Sequence, residues 1–193
     1  MFDLNDDKQF GGVQIFNGGE AGLTKNVEIS VEKKQVDDAD NHPDYKLLAK
    51  DASGATINQG FYYYKPQPQL DSDENKKKEK VQVGRVLSIA KAVMGNDYVF
   101  PQVNSGKEAF DVMFKLIEEN APGKKFNVYT TYGTQAYPSI YLGFRYFNFI
   151  EPANVEISTL KPNNNDVLVR PEADNDPSED ELSDVSKSAL DEL

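Results

Sequence analysis

Cysteine and tryptophan are absent from this 193-residue chain, and histidine occurs once, as His42. The missing thiols exclude disulfides, thiolate catalysis and cysteine-based zinc sites. No apolar run approaches the roughly 18 residues that a membrane span requires. The opening Met1-Phe2-Asp3-Leu4-Asn5-Asp6-Asp7 is acidic and polar, unlike a secretory signal. A protein of the cytoplasm, without a membrane contact, is the expectation. With a single histidine, a Ser–His–Asp site would have to use His42, and no nucleophile-elbow sequence accompanies it. Asp38-Ala39-Asp40-Asn41-His42 and Asp71-Ser72-Asp73-Glu74-Asn75 lack the glycine and the closing glutamate of a calcium loop. Gly106-Lys107 lacks the rest of a phosphate loop. Neither a metal nor a cofactor is expected, and the chain reads as a binding protein, not an enzyme.

The formal charge of −11 is unevenly spread. Residues 171–193 hold nine Asp/Glu against one basic residue, Lys187, a net of −8. Residues 1–170 hold 23 acids against 20 bases, a net of −3. The body is therefore close to balance, and local patches decide which partners it attracts.

Aromatic residues are abundant, with 10 Tyr and 11 Phe. Alternation predicts strands over 22–36, 45–50 and 57–65, the last running through Phe61-Tyr62-Tyr63-Tyr64. The charged segment Asp71–Lys80, with Lys76-Lys77-Lys78-Glu79-Lys80 at its end, reads as a mobile loop. Val83, Leu87, Ala90 and Met94 predict a helix over about 80–94. Ser105 and Glu108 have capping-box spacing ahead of Phe110, Phe114 and Ile117, so a second helix starts at Ser105. Phe126–Tyr132 and Ile140–Ile150 read as two more strands. The expected class is mainly β with a helical insertion (α+β): an OB-fold-like five-stranded barrel in the order three strands, two helices, two strands. The expected organisation is a flexible segment at 1–21, a binding domain at 22–160, and a linker with an acidic tail at 161–193.

The 140–150 strand is aromatic on both faces. Ile140, Leu142, Phe144, Tyr146 and Ile150 share one; Tyr141, Gly143, Arg145, Phe147 and Phe149 share the other. Rings beside cations suit single-stranded nucleic acid, since any base can stack on a flat side chain and any phosphate can be neutralised by Lys or Arg. The candidate contacts are Lys46, Lys50, Tyr62, Tyr64, Lys65, Arg85, Tyr129, Tyr141, Arg145 and Phe147. Taken one at a time, such rings serve equally as core or cross-strand pairs. In the tail, Leu182, Val185, Leu190 and Leu193 interrupt the acids at intervals that fit a docking stripe or a decoy ligand for a basic groove.

A β-rich body with a helical insertion, aromatic and basic strands, and an acidic tail resembles the bacteriophage single-stranded-DNA-binding proteins. The resemblance covers 22–160 as architecture and 171–193 as composition, and the chain ends in Leu193 where such tails often end in an aromatic residue. It implies an OB-fold that grips single-stranded DNA with little sequence preference during replication or recombination. It also implies a tail that competes with DNA and recruits replication proteins, in the host cytoplasm if the protein is viral, as a monomer or a dimer. The competing expectation is a viral structural or assembly protein that uses the aromatic strand face as a subunit interface.

Overall fold

A computed structural model describes residues 15–35, 42–132, 140–142, 149–162 and 166–169, with 140–142 described by backbone alone. After a short turn at Phe16–Gly19 come β1 (Gly22–Lys33), β2 (Tyr45–Lys50), β3 (Thr56–Phe61), α1 (Ser72–Met94), α2 (Gly106–Asn120), β4 (Phe126–Tyr132), β5 (Ile140–Leu142) and β6 (Ile150–Pro152). The strands pair antiparallel in the order β3-β2-β1-β4-β5, and β6 pairs with β4 beside β5. The class is α+β with an open antiparallel sheet. Strands β3 and β5 approach each other, but among the described residues no ladder joins them.

β1 serves two neighbours. Residues 28–33 pair with β2, and residues 22–27 pair with β4. Between them the register shifts after Thr24, where Asn26 takes a left-handed φ of 59°. The bulge places Lys25 and Asn26 consecutively on the exposed side, while Thr24 and Val27 both point inward. Beyond it strict alternation returns. Val27, Ile29, Tyr45, Leu47 and Ala49 are buried, and Glu28, Ser30, Lys46 and Lys50 turn outward.

The helices cover the inner face. Val86, Ile89, Ala90 and Val93 of α1 and Phe110, Met113, Phe114 and Ile117 of α2 meet Phe126, Val128 and the β1–β2 residues in one core. Its densest part is aromatic: Tyr45 stacks on Phe114 at 4.3 Å between centroids, and Phe61 and Phe110 approach Phe114 edge-on at 5.4 and 5.0 Å. Ser105 caps α2 as its spacing predicts, accepting from the Glu108 N–H at 3.1 Å, whereas the Glu108 carboxylate reaches back to the N–H of Asn104.

Several expectations need correction. Residues 72–80 are helical, so the lysine run lies on a 23-residue α1 and not on a mobile loop. The reason is a capping box: the Asp71 carboxylate accepts from the N–H groups of Asp73 and Glu74, and the Glu74 carboxylate accepts from the Asp71 N–H. The third strand stops at Phe61 instead of Lys65. Phe149 is fully buried beside Ile150, so it is core and not an outward ring. The folded body also reaches past both expected boundaries. Phe16 is buried, the Gly19 carbonyl accepts from the Tyr132 hydroxyl, and the Val167 carbonyl accepts from the Tyr132 N–H.

Candidate nucleic-acid interface

The site begins where the β2–β3 ladder ends. One step beyond the Tyr45–Phe61 pair, the Asp44 carboxylate accepts from the Tyr63 N–H at 2.7 Å, taking the place of a ladder bond. The side-chain alternation survives the change: Tyr63 turns inward toward Phe110 while Tyr62 turns outward and is 50% exposed. Beneath this turn the buried Pro43 packs on Gly60, where a Cβ would lie 3.1 Å from the proline ring. Gly60 thus lets the β1–β2 connection, with His42, close over the end of β3.

Helix α1 fixes the chain as it leaves. Asn75 is a clamp: its Oδ1 accepts from the Tyr64 hydroxyl (2.6 Å) and the Gln67 N–H (2.8 Å), and its Nδ2 donates to the carbonyls of Gln67, Leu70 and Asp71. One turn later the Glu79 carboxylate accepts from the Tyr63 hydroxyl, and it is seated where a Cβ on Gly106 would overlap it. That bond, with partial burial, pushes the Tyr63 phenol up to about 12. Tyr45 is raised too, by burial and by donating to Asp111 of α2 at 3.0 Å.

Between these elements lies a cleft of about 340 Å³. It is lined by Tyr62, Tyr63, Tyr64 and Lys65 from the chain beyond β3, and by Lys34, His42 and Asp44 from the β1–β2 connection. Gln67 and Gln82 close its α1 side, and the Gln82 Oε1 is a buried acceptor without a hydrogen-bond partner among the described residues. The cleft is lined by two lysines, Lys34 and Lys65, and by one carboxylate, Asp44, which accepts from the Tyr63 N–H. Rings, cations and amides in one concavity can stack a base, neutralise a phosphate and hydrogen-bond a base edge.

Of the expected contacts, Tyr62, Tyr64 and Lys65 meet in this cleft. Lys46, opposite Gly60 in register, is a diagonal neighbour of Tyr62 on the outward face and lies roughly 7–8 Å away by strand geometry. Lys50 stands four residues further along, opposite Glu28. Lys125 pairs with Glu28 at 2.6 Å and holds its carboxyl below the usual range. Glu32 likewise faces Lys46, so both β2 lysines sit among acids. Arg85 is half-buried on α1, and burial lowers its pKa. Tyr129 does not belong to an exposed platform. It is 5% exposed within the core, burial raises its phenol to about 12, and its hydroxyl has no partner among the described residues. Tyr141 lies in β5 opposite Thr131, with only its backbone described. Arg145, Phe147 and the tail residues Leu182, Val185, Leu190 and Leu193 lie outside the described residues.

Lys34, His42, Gln67 and Gln82 were not among the expected contacts. Lys34 shares the outward parity of Glu28, Ser30 and Glu32, a signal the sequence does carry. Among the described residues no three His, Asp or Glu side chains gather to hold a metal, and no helix is long and apolar enough to cross a membrane. No family model, curated protein or solved structure matches the chain.

Proposed function

We propose that this chain binds single-stranded DNA with little sequence preference, through the cleft at the end of β3. The observation that carries the reading is the convergence of Tyr62, Tyr64 and Lys65 with Lys34 and His42, drawn from separate segments into one concavity. The topology supports it. A first strand shared between β2 and β4, and an order of β3-β2-β1-β4-β5, fit an OB-like barrel with its β3–β5 seam unpaired. In OB-folds the strand 2–3 face and the first connecting loop are where oligonucleotides bind, and here that connection supplies Lys34 and His42. In this reading the protein shields single strands during phage-type replication or recombination. The acidic tail competes for the cleft, and Leu182, Val185, Leu190 and Leu193 recruit replication proteins.

The test is titration of tyrosine fluorescence with oligo-dT at two salt concentrations, for the intact chain and for one lacking 171–193. Binding should weaken with salt, and Tyr62→Ala should cost about 1–3 kcal/mol of affinity, the worth of one stacked base, with thermal unfolding unchanged. Absence of salt-sensitive binding by both the intact and the shortened chain overturns the reading.

A further inference from the structure

The lysines of α1 fall on one stripe. At 100° per residue, positions 76, 77, 80, 84, 88 and 91 share one side of the helix, opposite Val86, Ile89, Ala90 and Val93 in the core. That side carries Lys76, Lys77, Lys80 and Lys91, with Asp73 at its start, 3.9 Å from the Lys76 ammonium, and Leu87 between the small residues Gly84 and Ser88. From Lys76 to Lys91 it runs roughly 22 Å at 1.5 Å per residue. The helix carries six bases and three acids, a net of +3 in a chain whose net charge is −11.

The stripe is joined to the cleft. Tyr64, which lines the cleft, also lines a hollow of about 260 Å³ with Pro66, Ser72, Asn75, Lys76 and Glu79, whose carboxylate is engaged by the Tyr63 hydroxyl. Lys76 in turn lines a recess of about 480 Å³ with Asp73, Lys77, Lys80 and Val81. Further along the same side, Gly84, Ser88 and Lys91 line a groove of about 620 Å³ together with Ile150, Glu151 and Pro152. The first three depressions share Tyr64 and then Lys76; the groove shares no lining residue with them and begins at Gly84, about one turn beyond Lys80 on the same side of the helix. The Lys78 ammonium, bonded to the Gln67 Oε1 at 3.3 Å, ties the cleft rim to the helix at the point of transfer.

We infer that the lysine face of α1 is the continuation of the binding path. A single strand held at Tyr62 and Tyr64 passes over Tyr64 and lays its phosphodiester backbone along Lys76, Lys77 and Lys80 toward Lys91. This rests on the cleft as the strand's entry point and adds a consequence the cleft alone does not have: affinity depends on strand length. A short oligonucleotide fills the cleft, while a longer one also reaches the helix and releases more counterions. The lysine excess along α1, a net of +3 for the helix, favours a polyanion.

The test uses the full chain with labelled oligo-dT of about five and about twenty nucleotides, a span that brackets the site sizes of such domains, from about 50 to 200 mM salt. The triple variant Lys76→Gln, Lys77→Gln, Lys80→Gln should bind the long probe at least about tenfold more weakly at low salt. Its log–log salt slope should flatten by about 2, the value for three single-strand phosphate contacts. The short probe should bind as it does to the unmodified protein. A charge-matched variant, Lys25→Gln, Lys115→Gln, Lys161→Gln, should leave both probes unaffected. All six lysines are exposed, so circular dichroism should report an unchanged fold. An unchanged long-probe slope in the stripe variant overturns the inference while leaving the cleft intact. Equal losses for both probes, or for both variants, overturn it as well, because the effect is then one of general charge. If removing 171–193 abolishes the difference between the stripe variant and the unmodified protein, the stripe serves the acidic tail and the inference falls. If the unmodified protein binds neither probe, the reading of the cleft fails and takes the inference with it.

Discussion

The two helices are built to opposite specifications. α2 carries four acids and two bases, a net of −2, and presents Phe110, Met113, Phe114 and Ile117 to the core at helical spacing. α1 is eight residues longer, has a net charge of +3, and buries only four small or branched apolar residues, all in its second half. The inward side of its first half is polar: Asn75, Glu79 and Gln82 meet Tyr64, Tyr63 and the cleft. Burial dictates the sequence of α2. The sequence of α1 answers to three surroundings: core at one end, the tyrosine turn at the other, and solvent along its outer side. Helix stability is obtained differently in each case, from packing in α2 and from caps and side-chain clamps in the first turns of α1.

That contrast can be broken most forcefully at Phe114. It is fully buried and stacked on Tyr45, so Phe114→Ala should cost about 3–5 kcal/mol in denaturant unfolding. An exposed α1 position such as Lys80 should tolerate alanine within about 0.5 kcal/mol, and similar losses at the two sites would erase the distinction. Next in size is Asn75→Ala. It removes the clamp on Tyr64, Gln67, Leu70 and Asp71, and should cost about 1–3 kcal/mol, the penalty for stranding hydrogen-bonding groups. Oligo-dT affinity should fall with it, although the residue is proposed to touch no nucleotide; a stability loss with affinity intact would detach Tyr64 from the site. The smallest effect is expected at Tyr63→Phe, about 1 kcal/mol at neutral pH. The Tyr63 phenol is raised above its ordinary value of 10.0 to about 12 by Glu79. Its protonated form is therefore the stabilising one. That contribution is complete below pH 10 and is lost as the pH rises through about 12. Thermal unfolding followed between those limits should decline less steeply in Tyr63→Phe than in the unmodified protein.

The sequence made some of this legible, and the reasons for the rest are local. Strands β2 and β4 and helix α2 have the bounds that alternation and capping predict, because each has one consistently buried side or a clear cap. The first half of α1 escaped because apolar period is the usual signal, and here polar residues occupy the inward positions. Its D-x-x-E cap, Asp71 to Glu74, lies in the sequence inside a segment whose charge density predicts a loop. The tyrosine run kept its β-favouring character beyond Phe61, yet a single carboxylate, Asp44, ends the ladder. Parity misplaced Phe149 because it and Ile150 are both buried where β6 begins, so neighbouring residues there do not alternate between core and solvent. Within the cleft, Tyr62, Tyr64 and Lys65 were visible as a run. Lys34 is legible only through the outward parity of Glu28, Ser30 and Glu32, and His42 not at all, since only the fold carries the β1–β2 connection over Gly60.

The double duty of β1 has a consequence for how the chain acquires its structure. Its later half finds β2 after a short connection, but its earlier half must wait for β4, as in the pairing of Gly22 with Thr130. Contacts so distant along the chain carry a loop-closure cost and slow folding. On the ribosome, the β1–β3 meander and both helices emerge before the strand that completes the sheet. Until residues 126–132 are released, the edge of β1 from Gly22 to Val27 stands open. A nascent chain stalled in that interval exposes an unpaired strand edge to its neighbours.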